Sequence, residues 1–338
     1  MTATAIKARF FKETPNGVVC MLCPVQCRLK LGQTGRCKVR QNIDGALYTL
    51  VYGHPVAAHV DPVEKKPLYH FLPGSQSFSI GTAGCNLTCL NCQNWEISSC
   101  SPHEIKGLTM LPHDVVENAL LSGCQSISYT YNDPVVFFEY AVDTALLARE
   151  WGLRNIMVSA GYINREPLLE LCQVMDAANI DLKGFDEKMY RQLNGAHLKN
   201  VLQTLVTLKE QGVWLEITNL IIPQWSDNLE NILNMCKWLM DNGFRDVPLH
   251  FSRFFPKYRL QSVEPTPLKT LQQAYEIAVN AGLRYVYVGN VGNEHESTFC
   301  HHCGELLIGR QGYTIVANHI VDGRCSHCGE SLPGIWRV

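Results

Sequence analysis

The sequence predicts an α/β fold built on a parallel sheet, with a cysteine-rich segment ahead of it and a cysteine-bearing tail behind. Three observations predict it. From residue 78 onward, short apolar stretches alternate with helical periods of roughly 10–15 residues, the pattern of βα units. Several helical stretches carry Pro or Asp near their starts and Gly just past their ends. Residues 1–75 and 296–338 leave the alternation and hold cysteines at ligand spacing.

In chain order, the first segment (1–75) carries Cys20, Cys23, Cys27 and Cys37, with Pro24, Gly32 and Gly35 supplying turns between them. Residues 61–74, rich in prolines and charges, read as a connector. The central unit (76–295) is expected to place strands at 78–82, 126–131, 155–160, 178–182, 213–219, 247–252 and 284–288. Helices are expected at 114–121, 134–150, 167–175, 198–210, 227–241 and 267–281. About six or seven βα units suit either a partly closed (β/α) barrel or an open doubly wound sheet. No Gly-x-Gly-x-x-Gly follows the first strand, which argues against a dinucleotide-binding version.

Composition excludes several classes. Apolar residues make up 46% and charged residues 18%, a globular balance and not a disordered one. Lys plus Arg number 29 against 31 Asp plus Glu, a net charge of −2, so no strong field favours nucleic acid or an anionic membrane. No apolar run is long enough to span a bilayer and residues 1–7 lack the apolar core of a signal peptide, so a cytoplasmic protein is expected. Fifteen cysteines in a chain of this length and setting point to metal binding, not to a disulfide scaffold. Cys100, Cys124, Cys172 and Cys236 are scattered; the others form three groups.

The central group, Cys85-x3-Cys89-x2-Cys92, follows the first expected strand of the central unit, on the side where α/β folds build active sites. Three thiolates on a tight loop suit three corners of a four-iron cluster and leave the fourth iron open. A structural zinc site would need a fourth protein ligand, for which His103 or Cys100 stands in reach along the chain.

This segment resembles the radical S-adenosylmethionine (SAM) superfamily, over residues 78–290 or so. Within it the chain is most similar to the activating enzymes of glycyl radical enzymes, and closer still to the radical SAM member of the AmmeMemoRadiSam system. The words that carry the closer resemblance are Cys20-Met-Leu-Cys-Pro, Gly35-Arg-Cys, Glu64-Lys-Lys-Pro-Leu-Tyr-His-Phe-Leu-Pro-Gly74, Cys92-Gln-Asn-Trp-Glu-Ile-Ser98 and Thr130-Tyr-Asn-Asp-Pro134. The resemblance implies a partial (β/α) barrel of the radical SAM type. It also implies a [4Fe-4S] cluster whose open iron chelates SAM, and reductive cleavage of SAM to a 5′-deoxyadenosyl radical that abstracts a hydrogen atom. An electron donor such as flavodoxin or ferredoxin is implied as well.

By matching position, the resemblance places Asn132 and Asp133 where the superfamily often has Gly-Gly-Glu-Pro against the methionine amine. Both glycines are replaced here. Asp181 and Lys183 match an Asp-Leu-Lys that contacts SAM, and strand alternation points both to one side. Ser159, at a strand end, is a candidate for the carboxylate or ribose. Asn91 stands where an aromatic residue is common before the third cysteine. Structural alternatives stand beside these roles: Asp181 and Lys183 as a strand-end ion pair, Asp133 as a helix cap. Glu216, Asn219, His250 and Arg253 are candidates for substrate contacts at or near strand ends. The aromatic run 251–258 reads as a packed loop.

In the tail, Cys300-x2-Cys303 and Cys325-x2-Cys328 are each followed by Gly-Glu, a near-repeat that reads as a zinc ribbon. The N-terminal Cys20, Cys23, Cys27 and Cys37 can also close one site, with zinc expected and a second iron–sulfur cluster the alternative. The function expected is that of a radical SAM enzyme acting on a small molecule or a protein side chain. An activase that installs a glycyl radical in a partner is one alternative. A non-enzymatic metal- or nucleic-acid-binding module is another.

Overall fold

The computed structural model describes residues 5–292 and 294–337; residues 1–4, where the reading of the N-terminus begins, Asn293 and Val338 lie outside the described residues. At its centre is an eight-stranded sheet of β1 (Ala57–Pro62), β2 (Gln76–Gly81), β3 (Ser126–Tyr129), β4 (Arg154–Ser159), β5 (Ala177–Asp181), β6 (Trp214–Ile221), β7 (Leu249–Arg253) and β8 (Val286–Gly289). Each strand lies beside its predecessor, in the order β8-β7-β6-β5-β4-β3-β2-β1. A doubly wound sheet reverses its order at a switch point; this one does not, so the connectivity is that of a partial barrel with two edges. Pairing is parallel throughout except β1 with β2, where Ala57 opposes Gly81 and Pro62 opposes Gln76.

The longer helices are α1 (Pro112–Leu121), α2 (Phe138–Glu150), α3 (Arg165–Cys172), α4 (Leu198–Glu210), α5 (Leu229–Asp241) and α6 (Leu268–Ala281). Their ends follow local chemistry. Asn228 Oδ1 accepts from Asn231 N at 3.0 Å to start α5, and Gly282, at φ 104°, ends α6. The main core lies between sheet and helices and includes Ile127, Met157, Ile180, Ile217 and Phe251 from the strands.

Residues 57–75 correct the reading of this stretch as a connector. They form the edge strand β1 and a strap laid across the sheet. Val63, Leu68, Phe71 and Leu72 of the strap pack against Ile156 and Ala177. Most of its charges are buried with partners: Lys66 Nζ donates to Asp61 Oδ2 at 2.6 Å and Glu64 Oε1 accepts from Gly74 N at 2.9 Å, while Lys65, also on Asp61, stays half-exposed.

Before the strap stand two small antiparallel sheets, Phe11–Thr14 with Gly17–Cys20 and Arg28–Leu29, and Ile6–Lys7 with Ala46–Thr49 and Arg40–Ile43. After β8 comes a three-stranded sheet of Thr298–Phe299, Leu306–Gln311 and Thr314–Asn318. This tail is docked onto the strap. Arg310 Nη2 donates to Tyr69 O at 2.7 Å, its guanidinium lies 4.0 Å from the Tyr69 ring centroid, and Ile335 N donates to His70 O at 2.8 Å. Among the described residues, no helix is long and apolar enough to cross a membrane.

Candidate active site

The loop after β2 carries Cys85, Cys89 and Cys92 to the C-terminal mouth of the partial barrel, and other loops hold it there. Gly84 sits at φ +81° with Cys37 O only 2.2 Å from where a Cβ would be, so a glycine is needed at that approach. Thr88 N and Leu90 N donate to Asn194 O and Leu193 O, both at 2.9 Å, tying the loop to the segment after β5. Asn86 Nδ2 reaches Tyr162 O at 2.7 Å, beyond β4. Two thiols receive N–H donors: Cys85 Sγ from Leu87 N at 3.4 Å, and Cys89 Sγ from Asn194 Nδ2 at 3.3 Å. Burial pushes both thiol pKa values up, so without a bound cation they stay protonated.

Beside the triplet is a cavity of about 340 Å³ lined by the three cysteines, Arg36, Lys38, Trp95, Tyr258 and Arg259 among others. Trp95 and Tyr258 stack with centroids 5.2 Å apart and planes at 8°. Asn91 Oδ1 is buried without a hydrogen-bond partner.

Lys183 and Asp181 pair at 2.8 Å, with side chains 20% and 38% exposed. Burial opposes the Lys183 ammonium, but the Asp181 carboxylate and then Cys89 outweigh it and raise its pKa. The ion-pair reading is thus realised, in a position that still reaches solvent beside the cysteines. Asn132, Asp133 and Ser159 are built into the wall. Asn132 brackets the triplet loop, accepting from Thr82 N at 3.2 Å and donating to Gly84 O at 2.7 Å. Asp133 is buried and accepts from Val135 N, Ser159 Oγ and Ala160 N at 3.0–3.1 Å, so it caps the helical turn as the alternative reading has it.

The other polar candidates serve the frame. Glu216, fully buried, accepts from Tyr69 N, His70 N, Trp214 Nε1 and His250 Nε2 at 2.9, 2.7, 3.1 and 2.6 Å. It is the third residue of β6, near the strand's N-terminal end and under the strap. Asn219 Nδ2 donates to Leu182 O and Arg253 Nε to Thr266 O. In the aromatic run Phe251 and Phe254 are buried, as a packed loop requires, while Tyr258 is half of the stacked wall. Sequence reasoning gave no role to Asn86 or Asn194, and noted Arg36 and Trp95 only within the words that carry the family resemblance; Asn194 had no local signal.

In the tail, Cys300, Cys303, Cys325 and Cys328 have sulfurs all within 4.8 Å of one another. Cys300 to Cys328 and Cys303 to Cys325 are each 3.7 Å, close to the edge of about 3.8 Å that four thiolates make around one ion at Zn–S distances. The two knuckles are twins: Gly304 N and Gly329 N return to Cys300 O and Cys325 O, both at 2.9 Å.

A parallel partial barrel with a three-cysteine loop at its C-terminal mouth defines a class of cluster-dependent enzymes. The Radical SAM superfamily model matches residues 79–245, and the chain belongs to that superfamily. It is 44% identical to the uncharacterized protein MJ0808 of Methanocaldococcus jannaschii over 96% of this chain and 98% of that one. Similarity to the pyruvate formate-lyase 1-activating enzyme of Escherichia coli is more distant, at 21% identity over 60% of this chain and 89% of that enzyme. The crystal structure of Streptococcus suis SuiB bound to precursor peptide SuiA shares the fold, with a TM-score of 0.50 at 14% identity over 68% of this chain and 51% of that one.

Proposed function

We propose that Cys85, Cys89 and Cys92 hold three irons of a four-iron cluster whose fourth iron is left to SAM, and that the enzyme takes a hydrogen atom from its substrate. One observation carries the reading. The triplet stands at the barrel mouth with N–H donors on two of its three sulfurs and, among the described residues, no fourth protein ligand gathered to close a single-ion site. Cys100 turns instead to Ile97 O at 3.2 Å, and among the described residues only the tail cysteines have the spacing of one ion. Bound there, cluster and SAM supply one-electron cleavage of the sulfonium C–S bond and a carbon radical.

The chain's own residues do the rest. Lys183 and Asp181 offer an ammonium and a carboxylate for the charged ends of the methionine moiety. Asn132, Asp133 and Ser159 position the triplet loop and the strand ends on the side where the methionine moiety would lie. The Trp95–Tyr258 wall narrows the approach and excludes water. A one-electron carrier such as flavodoxin or ferredoxin is the donor, and zinc fills the tail site. The similarity to a pyruvate formate-lyase activating enzyme favours a second reading, in which the hydrogen comes from a glycine in a partner protein; a glycyl radical signal in a candidate partner identifies it. For the main reading, anaerobically reconstituted protein with SAM and dithionite is expected to release 5′-deoxyadenosine. The Cys85→Ala, Cys89→Ala, Cys92→Ala variant is expected to release none. Equal yield from the two contradicts it.

A further inference from the structure

Three cations from distant parts of the chain meet beside the triplet. Arg36 and Lys38 come from the N-terminal segment, on the turn that also carries Cys37, and Arg259 follows β7; with the three cysteines they line the cavity of about 340 Å³. Cys37 itself lines a separate space with Cys20, Cys23 and Cys27, and its carbonyl rests against Gly84. The loop from Cys85 to Cys92 has no charged residue and the whole chain has a net charge of −2, so the positive rim is a local feature. Each of its cations is held by neutral groups. Arg36 Nη2 donates to Thr88 Oγ1 at 3.1 Å and to Gly195 O at 2.7 Å, Lys38 Nζ donates to Ser99 O at 2.5 Å, and the Arg259 guanidinium lies 5.2 Å from the Tyr258 ring centroid. Among the described residues none of the three is in an ion pair. In the segment after the triplet Glu96 and Glu104 are exposed, and Glu104, which feels Lys38, accepts from Ser101 N at 2.6 Å.

Lys38 and Arg259 are exposed and Arg36 is half-buried. Residues of the rim therefore touch solvent on one side and the triplet cavity on the other. Trp95, 36% exposed, stacks on Tyr258 within the same rim. Uncompensated surface cations draw an acidic partner from solution through the long reach of their field. An encounter between electron-transfer partners needs little beyond such a field and a short path, because it buries little surface and separates quickly.

We infer that Arg36, Lys38 and Arg259 form the docking face for an acidic one-electron carrier protein, which reduces the centre held by the triplet. The carrier loses one electron and that centre gains it; no bond forms or breaks. The inference rests on the proposed cluster at Cys85, Cys89 and Cys92. The test takes flavodoxin as the carrier and compares the reconstituted full chain with its Lys38→Glu, Arg259→Glu variant. Binding of oxidised flavodoxin, read by biolayer interferometry, is expected to weaken at least about tenfold in the variant. Wild-type affinity is expected to fall between about 50 and about 300 mM salt, and the variant's is not. Release of 5′-deoxyadenosine driven by reduced flavodoxin should drop at least about tenfold, with the dithionite-driven yield unchanged. Binding that agrees within about twofold, or a wild type that does not bind, overturns the inference. So does an equal drop with flavodoxin and with dithionite, which assigns the cations to the centre's own charge. If neither protein cleaves SAM with dithionite, the cluster reading fails, and the binding comparison still decides the docking face. Lys38→Gln with Arg259→Gln removes the charges without reversing them; it is expected to weaken binding about threefold and serves if the charge-reversed chain does not fold.

Discussion

Glu216→Gln separates a frame residue from a substrate contact. In the native chain Oε1 accepts from His70 N and Trp214 Nε1, while Oε2 accepts from Tyr69 N and His250 Nε2. An amide keeps one oxygen. With that oxygen toward His70 and Trp214, the new NH₂ faces Tyr69 N, a donor against a donor, while the His250 ring can turn acceptor by changing tautomer. The opposite flip strands two donors and is worse. One buried N–H orphaned costs about 1–3 kcal/mol, and exchanging charge-assisted bonds for neutral ones adds about 1. The expected loss is therefore about 2–4 kcal/mol, read as a lower urea midpoint by tryptophan fluorescence. SAM cleavage per folded molecule is expected to stay within about twofold, since Glu216 lies under the strap. A stability change below about 0.5 kcal/mol, or a tenfold loss of cleavage at unchanged stability, refutes the assignment.

Two other outcomes follow from the same frame. Burial lowers the His70 pKa to about 4, below its unfolded value of about 6.5, so the unfolded chain binds the extra proton between those values. Stability is expected to fall with pH from about 6.5 to about 4, by up to about 3 kcal/mol, and the His70→Gln variant should lose that part of the slope in urea titrations at stepped pH. In the tail, Cys325→Ser with Cys328→Ser is expected to lose one zinc by elemental analysis and to expose residues 296–337 to limited proteolysis, because so short a segment needs its metal to fold. A tail that stays protected without metal would mean that docking on the strap suffices.

Local signals carried most of the barrel. The helix expected at 198–210 is found as Leu198–Glu210, because an amphipathic period with Gly212 just beyond it is a local property. The triplet was legible for the same reason: ligand spacing is written in consecutive residues. The strap was not, since what buries it lies far along the chain. Arg310 meets Tyr69 across 241 positions, and Glu216 meets His70 across 146. Charges that end in buried pairs look like solvated charges until their partners are known. Asn194 gave no signal either, as its donation to Cys89 spans 105 positions. The N-terminal spacing left zinc and a cluster both open because order along the chain does not state the distance between sulfurs.

On the proposed reading, SAM sits on an open iron beside Cys85, Cys89 and Cys92. The most direct measurement is electron–nuclear double resonance of the reduced, reconstituted enzyme with SAM labelled by ¹⁵N at the methionine amine. Direct ligation predicts a ¹⁵N hyperfine coupling that appears with labelled SAM and vanishes in the Cys85→Ala, Cys89→Ala, Cys92→Ala variant. A reduced cluster whose spectrum carries no ¹⁵N coupling at saturating SAM contradicts it.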